Sequence, residues 1–330
     1  QNKPLLRYLR DDLHIHSAKD GCSEGACGTC TIHVDGAAVK ACVLTTALAA
    51  GRNIVTVEGL PEDVREAFVY AFGAVGAVQC GFCIPGMVMA GAALIAEDPE
   101  PTEEQIKYAI RGNVCRCTGY KPILDAGERM FDAPAVRLDT SAALKALSTL
   151  SSEDFEYRAA SAADASCETT FHAPRSVAAL AALRLAKPDA RLIAGATDIG
   201  LWVNKQMRDL GDQIYLGEVA ELRNIETRNG VLSIGAGASL EEAWSALTSN
   251  WPVLKETWLR FASPPIRNAG TMGGNVANGS PIGDAPPILM ALDAAVELRR
   301  GAAVRPLALT DFYLDYMKNA LQEGEFVQAI

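Results

Sequence analysis

The chain has 330 residues, of which 49% are hydrophobic and 21% are charged, and its formal net charge is −10. This length suffices for two or three domains with their own cores, and the negative charge argues against nucleic acid and anionic membranes as main partners. The longest apolar run has about half of the roughly 20 residues that a bilayer span needs. No secretion signal is visible, so we expect a cytoplasmic protein.

The first predicted element is a short helix over residues 5–9, followed by a loop with closely spaced cysteines. The loop contains Cys22, Cys27 and Cys30, and a fourth cysteine, Cys42, follows further along the chain. The first three are separated by four and then two residues, as in plant-type ferredoxins, which hold a [2Fe–2S] cluster. Three glycines in the loop let backbone N–H groups point at the sulfurs: Gly21, Gly25 and Gly28.

Residues 31–34 alternate like a β-strand, Asp35-Gly36 is a strong hairpin turn, and residues 37–44 return as the partner strand. This hairpin brings Cys42 back beside the loop that carries the other three cysteines. Four thiolates therefore converge by local structure, which favours an iron–sulfur cluster. A structural zinc site with four cysteine ligands is the alternative, although zinc ribbons normally use two short knuckles of paired cysteines.

The next region predicts a bundle of helices. Helices are expected over residues 63–78, 86–97, 102–111 and 122–131, with Pro85 and Pro122 at helix starts and a capping box of Thr102 and Gln105. Two cysteine pairs lie at helix ends, namely Cys80 with Cys83 and Cys115 with Cys117. Because such ends can meet at one point of a four-helix bundle, we expect a second site. Its spacing alone leaves a cluster, zinc or a thioredoxin-type redox pair open.

Residues 132–170 are rich in alanine and serine and show little periodicity, which predicts a long connector between domains. The ninth cysteine, Cys167, lies near its end, and we expect an inert thiol there. The four histidines are too dispersed to form a ligand set: His14, His16, His33 and His172.

From residue 171 onward the pattern is α/β, with a helix opened by Pro174, a strand over 191–194 and a small-residue turn at 195–198. A second glycine-rich stretch covers residues 270–284. Neither stretch matches G-x-G-x-x-G, so there is no Rossmann fingerprint. Both loops are rich in N–H and hydroxyl groups that suit a diphosphate, but plain turns have the same composition.

Three stretches carry a resemblance to a known family: residues 20–30 (DGCSEGACGTC), 79–86 (QCGFCIPG) and 113–122 (NVCRCTGYKP). They resemble the iron–sulfur part of the xanthine dehydrogenase/aldehyde oxidase family of molybdenum hydroxylases. The resemblance implies a β-grasp, ferredoxin-like domain over 1–57 and a four-helix domain over 58–131, each with a [2Fe–2S] cluster. The implied ligands are the eight cysteines named above. The helical cluster would be buried and nearest the molybdenum centre, with Gln79 close to the molybdopterin tail.

Small departures from the family pattern are Asp20, where Glu is usual, and Thr29, where Ala is usual. The family has a further strand pair that would precede Gln1, so we expect additional residues there.

Residues 192–199 (LIAGATDI) and 267–284 (RNAGTMGGNVANGSPIGD), with Phe261 and Ala262, resemble the FAD-binding segments of the same family. That flavin domain is of the vanillyl-alcohol-oxidase-like type, which implies a partial α/β FAD-binding domain over 171–330 without a complete C-terminal lobe. The implied FAD-binding residues are Leu192, Ile193, Ala194, Gly195, Ala196, Thr197, Asp198, Ile199, Phe261, Ala262, Thr271, Met272, Gly273, Gly274, Asn275, Asn278 and Asp284. Phe261 would stack on the cofactor, Asp284 would hydrogen-bond it, and the glycine-rich stretches would surround the diphosphate.

The resemblance also implies a function for this multidomain α+β chain. It is similar to the electron-transfer subunits of two-subunit xanthine dehydrogenases, oxidoreductases that need a large molybdenum-cofactor subunit. Electrons from oxidation of hypoxanthine or xanthine to urate would pass from molybdenum on molybdopterin through the helical cluster, the ferredoxin-like cluster and FAD to NAD. We expect a dimer of heterodimers and no catalytic residue on this chain. The alternatives are an aldehyde or heteroaromatic hydroxylase, a stand-alone ferredoxin/flavin reductase, and a structural zinc protein.

Overall fold

The protein, analysed as a computed structural model, is a mixed α+β chain, as the sequence predicts. The structure describes residues 3–98, 100–130, 141–150, 153–161, 164 and 166–330. None of the helices in these ranges is long and apolar enough to cross a membrane.

The N-terminal part contains α1 (Leu5–Arg7), a π-helical turn (Tyr8–Asp12), β1 (Thr31–Val34), β2 (Ala37–Lys40) and β3 (Ile54–Val55). The helical part contains α2 (Glu62–Ala74), α3 (Ile84–Glu97), α4 (Glu103–Ile110) and α5 (Lys121–Arg129). There follow α6 (Ser141–Leu147), β4 (Phe155–Ala160), β5 (Glu168–Ala173), α7 (Val177–Ala186), β6 (Arg191–Ile193), α8 (Ile199–Asn204) and β7 (Gln213–Tyr215). The last part contains β8 (Ile225–Arg228), β9 (Val231–Ile234), α9 (Leu240–Asn250), α10 (Lys255–Arg260), α11 (Pro264–Ala269), α12 (Met272–Asn278), α13 (Ala285–Ala291), β10 (Ala295–Arg300), β11 (Ala303–Ala308), α14 (Leu309–Phe312), β12 (Tyr313–Asp315), β13 (Lys318–Asn319) and β14 (Phe326–Ala329).

The predicted hairpin of the N-terminal part is confirmed. β1 pairs antiparallel with β2, and Asp35 and Gly36 both have positive φ (51° and 87°), as a two-residue type I′ turn requires. β3 pairs with the other edge of β1. β2 ends at Lys40, and the N–H of Ala41 donates to the carbonyl of Cys30 at 3.2 Å, so the returning strand does bring the fourth cysteine to the loop.

The four predicted helices of the next part are also confirmed, with shifted ends. α2 ends at Ala74, four residues before its predicted end, and Pro85 lies in the first turn of α3. The side chains of Thr102 and Gln105 form the predicted capping box at the start of α4. The predicted end of α5, Phe131, lies outside the described residues.

The long connector predicted over 132–170 contains regular structure, namely α6, the whole of β4 at residues 155–160 and the start of β5. β4 pairs along its whole length with β5 and opens a four-stranded sheet of order β4-β5-β7-β6. Phe155 and Tyr157 alternate with charged residues, but they are 46% and 50% exposed. An exposed edge strand gives a weak hydrophobic signal, which is why the sequence pattern missed it.

The expectation of a separate core for each domain is wrong for the N-terminal sheet and the second half. Ile32 and Val43 belong to the same cluster of buried residues as Ile193 and Tyr215. Helix α8 packs so closely here that a Cβ on Gly200 would lie 2.3 Å from the carbonyl oxygen of Val43. These two parts of the chain therefore pack as one unit.

The N-terminal cysteine loop (residues 20–30) meets the start of α3 through two glycines. A Cβ on Gly86 would lie 2.1 Å from the carbonyl oxygen of Gly28, and a Cβ on Gly28 would lie 2.2 Å from Oδ1 of Asn113. Such distances are far below van der Waals contact. The approach of the loop to the helical part therefore requires glycine at both positions.

We predict that Gly86→Ala lowers the free energy of unfolding by about 2–3 kcal/mol, because the added methyl group collides with backbone that cannot move aside. Gly73→Ala is the matched control, since Gly73 also lies in a helix and a Cβ there would meet nothing within 4 Å. It should be neutral or stabilise by up to about 1 kcal/mol. Urea unfolding of both variants measures the difference, and equal midpoints would contradict the close contact.

Candidate cluster and flavin sites

The structure brings together the N-terminal cysteine set, defined as Cys22, Cys27, Cys30 and Cys42. Backbone N–H groups of Cys27 and Glu24 donate to Cys22 Sγ at 3.3 and 3.5 Å. Burial alone would raise the pKa of Cys22, but these N–H groups bring it below its usual value. A hydrogen bond from the Cys42 thiol lowers the pKa of Cys30 to about 7. These contacts favour the thiolate, the form in which cysteine binds iron, at Cys22 and Cys30, whereas donation to Cys30 raises the pKa of Cys42.

The structure also brings together the helical cysteine set, defined as Cys80, Cys83, Cys115 and Cys117. The Sγ atoms of Cys80 and Cys117 lie 3.5 Å apart, and the thiols of Cys83 and Cys115 hydrogen-bond each other. Cys83 and Cys115 are buried, whereas Cys80 and Cys117 are exposed. In this chain alone, one pair is therefore buried and the other exposed, and burial of the whole cluster stays a prediction.

Each set consists of two sulfur pairs, which fits a [2Fe–2S] cluster, where two thiolates bind each iron. Thr118 supports the helical set, since its Oγ1 lies 3.2 Å from Cys115 Sγ, and the N–H of Cys115 donates to the Tyr120 hydroxyl at 3.0 Å. Across the described ranges, no group of three or more His, Cys, Asp or Glu side chains surrounds one ion position.

One backbone hydrogen bond joins the two cysteine sets. The N–H of Val114 donates to the carbonyl oxygen of Cys27 at 2.8 Å, and Val114 is the covalent neighbour of Cys115. A path from one set to the other therefore crosses a single hydrogen bond. Sequence reasoning missed this contact because the two residues belong to different motifs.

Helix α8 and the residue after it reach the N-terminal cysteine set from the second half. Asn204 Nδ2 donates to the carbonyl of Cys42, a residue 162 positions earlier, and Lys205 Nζ donates to the carbonyl of Cys22 at 2.6 Å. No local pattern in the sequence marks these two side chains. Asn204 thereby holds the backbone of one predicted iron ligand in place, whereas the contact of Lys205 with the other is exposed to solvent.

The two glycine-rich stretches line one cavity of about 290 Å³. All eight residues of the first stretch, 192–199, face it. From the second stretch it is lined by Gly270, Thr271, Gly273, Gly274, Asn275, Ala277 and Asn278. The geometry thus joins two segments that are more than seventy residues apart and that the sequence resemblance assigns to one cofactor.

The backbone donors of this cavity come from the first stretch. Within the described part of the chain, no acceptor pairs with the N–H groups of residues 195–199. The N–H groups of Met272 and Gly273 donate to backbone carbonyls, and that of Gly274 donates to the hydroxyl of Thr271 at 3.2 Å. The N–H groups of residues 272–274 are therefore satisfied within the protein in this conformation, and their contact with a diphosphate stays a prediction.

Two further observations fit a diphosphate-bearing cofactor such as FAD. Asn275, in the wall of the cavity, has a buried Oδ1 without a partner among the described residues, an acceptor that suits a hydroxyl group of such a cofactor. A Cβ on Gly195 would lie 1.8 Å from the carbonyl oxygen of Ala269, so the free N–H groups are held against the second stretch. Ala196 has a φ of 56°, which turns the chain within this row of donors.

Four of the implied FAD residues do not line the cavity: Phe261, Ala262, Met272 and Asp284. Phe261 is 8% exposed and packs on Trp244, with ring centroids 5.2 Å apart. Arg267, fully buried, donates to the carbonyl of Phe261 and pairs with Glu241, which fixes this corner. In this conformation Phe261 does not reach the cavity, so its stacking role stays a prediction.

Residues 165–330 match a family model described as the FAD binding domain in molybdopterin dehydrogenase, and residues 56–128 match a [2Fe-2S] binding domain. The chain belongs to the molybdopterin dehydrogenases of the xanthine dehydrogenase/aldehyde oxidase family. The matches agree with the two kinds of site described above, and the boundaries of the individual domains stay predictions.

Several curated proteins of this family are similar to the chain. Xanthine dehydrogenase of Emericella nidulans is 29% identical over 394 residues, covering 99% of this chain and 28% of that protein. Aldehyde oxidase 2 of Cavia porcellus is 29% identical, covering 99% of this chain and 29% of that protein. The nicotinate dehydrogenase small FeS subunit of Eubacterium barkeri is 46% identical over 120 residues, covering 36% of this chain and 76% of that subunit. The chain thus spans less than a third of the length of the two larger relatives.

Among solved structures, the Cu,Mo-CO dehydrogenase in its cyanide-inactivated form is 31% identical. The similarity covers 48% of this chain and 57% of that chain, with a TM-score of 0.46.

We predict that Gly274→Val weakens FAD binding at least tenfold in a protein whose second half stays folded. Gly274 lines the cavity, and only the Thr271 hydroxyl lies near an added Cβ, at 2.8 Å, so the valine side chain would occupy space that the cofactor needs. The adjacent Gly273→Val is the control for unfolding, since a Cβ there would lie 2.4 Å from that of Ala236.

FAD per chain and a thermal melt followed by circular dichroism separate the two effects. Gly273→Val should lose FAD and should also unfold at a lower temperature than the wild-type protein. Full retention of FAD by a folded Gly274→Val protein would mean that the cofactor lies elsewhere.

Proposed function

We propose that this chain is the electron-transfer part of a molybdenum hydroxylase, in which both cysteine sets hold a [2Fe–2S] cluster and the cavity holds FAD. The observation that carries the proposal is the continuous contact between the three sites. When bound, each cluster carries one electron at a time, and FAD collects two for transfer to NAD. The chain's own residues hold these carriers at fixed positions and exclude water from part of their surroundings.

The contacts support an order for the relay. The helical cysteine set reaches the N-terminal cysteine set through the hydrogen bond from Val114 to Cys27. Helix α8 connects the N-terminal cysteine set to the cavity, because Ile199 at its start lines the cavity and Asn204 at its end contacts Cys42. The N-terminal cysteine set therefore lies between the other two sites, as an electron path from the helical set to FAD would need.

The exposed side of the helical cysteine set supports a partner subunit that carries molybdenum on molybdopterin. Gln79, Cys80 and Cys117 are exposed there. The same surface holds large apolar side chains with 37–55% exposure, which are Val78, Phe82, Val114 and Tyr120. A surface that combines exposed apolar residues with a redox ligand is suited to a protein interface. We further propose a cytoplasmic complex, assembled as a dimer of heterodimers.

For the substrate, we propose a purine such as hypoxanthine or xanthine, in line with the xanthine dehydrogenases that the chain matches over nearly its whole length. A heteroaromatic substrate is the second candidate, because the nicotinate dehydrogenase subunit has the higher identity, 46%, over the iron–sulfur part. The residues that select the substrate would belong to the partner. Assaying the complex with xanthine and with nicotinate decides between them.

We predict about four irons and about four inorganic sulfides per chain, because each [2Fe–2S] cluster contains two of each. Metal and sulfide analysis after anaerobic preparation measures both. A chain that contains zinc instead, or is colourless, would support the structural zinc protein and contradict the proposal.

We predict that Cys115→Ser removes one of two EPR signals of the reduced chain. In the complex with its molybdenum subunit, this variant should lose substrate-driven reduction of FAD by at least 100-fold, while NADH still reduces FAD, since only the first carrier of the relay is lost. Cys167→Ser, at an exposed cysteine outside both sets, should change neither. Normal substrate-driven reduction in Cys115→Ser would support a ferredoxin/flavin reductase that does not use the helical set.

A further inference from the structure

Lys40 is a buried lysine that has no carboxylate partner among the residues that the structure describes. Its side chain has no exposed surface, and it lies at the end of β2, opposite Thr31. Its Nζ donates to the carbonyl of Gly112. A buried ammonium is costly unless an opposite charge compensates it, so this position calls for an anion.

The anions near Lys40 are cysteine thiolates. In the part of the chain that the structure describes, no Asp or Glu forms an ion pair with it. Lys40 lies opposite Thr31, the covalent neighbour of Cys30, and two residues before Cys42, so two ligands of the N-terminal cysteine set flank it. The counter-charge available to this lysine is therefore that of the thiolate ligands of the N-terminal cluster.

The surroundings keep the ammonium in this position. A Cβ on Gly112 would lie 3.1 Å from Lys40 Nζ, so the glycine leaves room for it. Gly112 belongs to the loop that leads to Cys115, which places Lys40 at the contact between the two cysteine sets.

A cation fixed in a low-dielectric site acts on the redox equilibrium of a neighbouring cluster. A cluster on four thiolates is negatively charged and gains one more negative charge on reduction. A nearby buried cation stabilises the reduced form more than the oxidised form, and solvent does not screen it. The reduction potential rises as a result.

We propose that Lys40 is a potential-setting residue, which raises the reduction potential of the N-terminal cluster relative to the helical cluster. This inference rests on the proposed function, since it requires both clusters. One electron leaves the helical cluster, which is oxidised, and enters the N-terminal cluster, which is reduced. No bond forms or breaks, and Lys40 keeps its proton throughout. The lysine thereby gives the relay its direction toward the flavin.

The chain offers a matched control in Lys205. It also touches the N-terminal cysteine set, through the carbonyl of Cys22 at 2.6 Å, but its side chain is 44% exposed. Water and salt screen a charge in that position. Lys205→Met should therefore change the one-electron reduction equilibrium of either cluster less than threefold.

The test is an EPR-monitored redox titration of the full chain with its clusters, which gives a midpoint potential for each signal. Lys40→Met should make reduction of the N-terminal cluster at least tenfold less favourable, about 59 mV for one electron. The helical cluster should change less. Lys40→Gln, which keeps a donor for Gly112 while removing the charge, should shift the same signal in the same direction, and Lys40→Arg should keep the potential of the wild-type protein.

An unchanged midpoint in both neutral variants, or an equal shift of both clusters, would overturn the proposal. Loss of the N-terminal cluster from both neutral variants but not from Lys40→Arg would also overturn it. The cation would then be needed for assembly of the cluster and not for its reduction potential. Iron analysis of the wild-type chain separates these results from failure of the proposed function, which would show as missing clusters before any substitution.

Discussion

The relation between the two cysteine sets depends on one close backbone contact, between the N-terminal cysteine loop and the start of the helical part. Because Gly86 has no side chain, the carbonyl oxygen of Gly28 can approach closely. It lies 2.1 Å from the position that a Cβ of residue 86 would occupy. In the same contact, the N–H of Val114 reaches the carbonyl of Cys27 at 2.8 Å. The rate of electron transfer falls steeply with distance, so a contact made of rigid backbone serves a relay better than one made of long side chains. A side chain at either glycine would separate the two sets before it affected any ligand.

A second junction connects the N-terminal cysteine set to the flavin cavity. The N-terminal sheet and the second half share one hydrophobic core, in which Ile32 and Ile193 belong to the same cluster of buried residues. Helix α8 crosses this junction from the cavity to Asn204, which donates to the carbonyl of Cys42. The cavity and the N-terminal cysteine set are thus parts of one packed body. The packing fixes the distances between the electron carriers. The buried charge of Lys40 can set the direction of electron transfer between them.

Features that arise from a few neighbouring residues could be predicted from the sequence. The Asp35-Gly36 turn and the Thr102 capping box depend on local chemistry, and the structure has both. The spacing of the cysteines identified the two sets for a similar reason. The sequence could not show that the N–H groups of residues 195–199 are free while those near Gly274 are hydrogen-bonded. Two of the acceptors that satisfy the second group lie in a part of the chain that is distant in sequence. Lys40 carried no signal either, since a lysine at a strand end is usually solvated, and only the fold buries it.

The central claim is that two [2Fe–2S] clusters lie in direct contact through the backbone between Cys27 and Val114. Low-temperature EPR of the fully reduced chain tests it most directly, because two paramagnetic clusters at such close range split each other's signals. We predict two signals that show this splitting when both clusters are reduced, and an unsplit signal from the remaining cluster in Cys115→Ser. Two unsplit signals in the fully reduced wild-type chain would contradict the claim, because the clusters would then be too far apart for the relay.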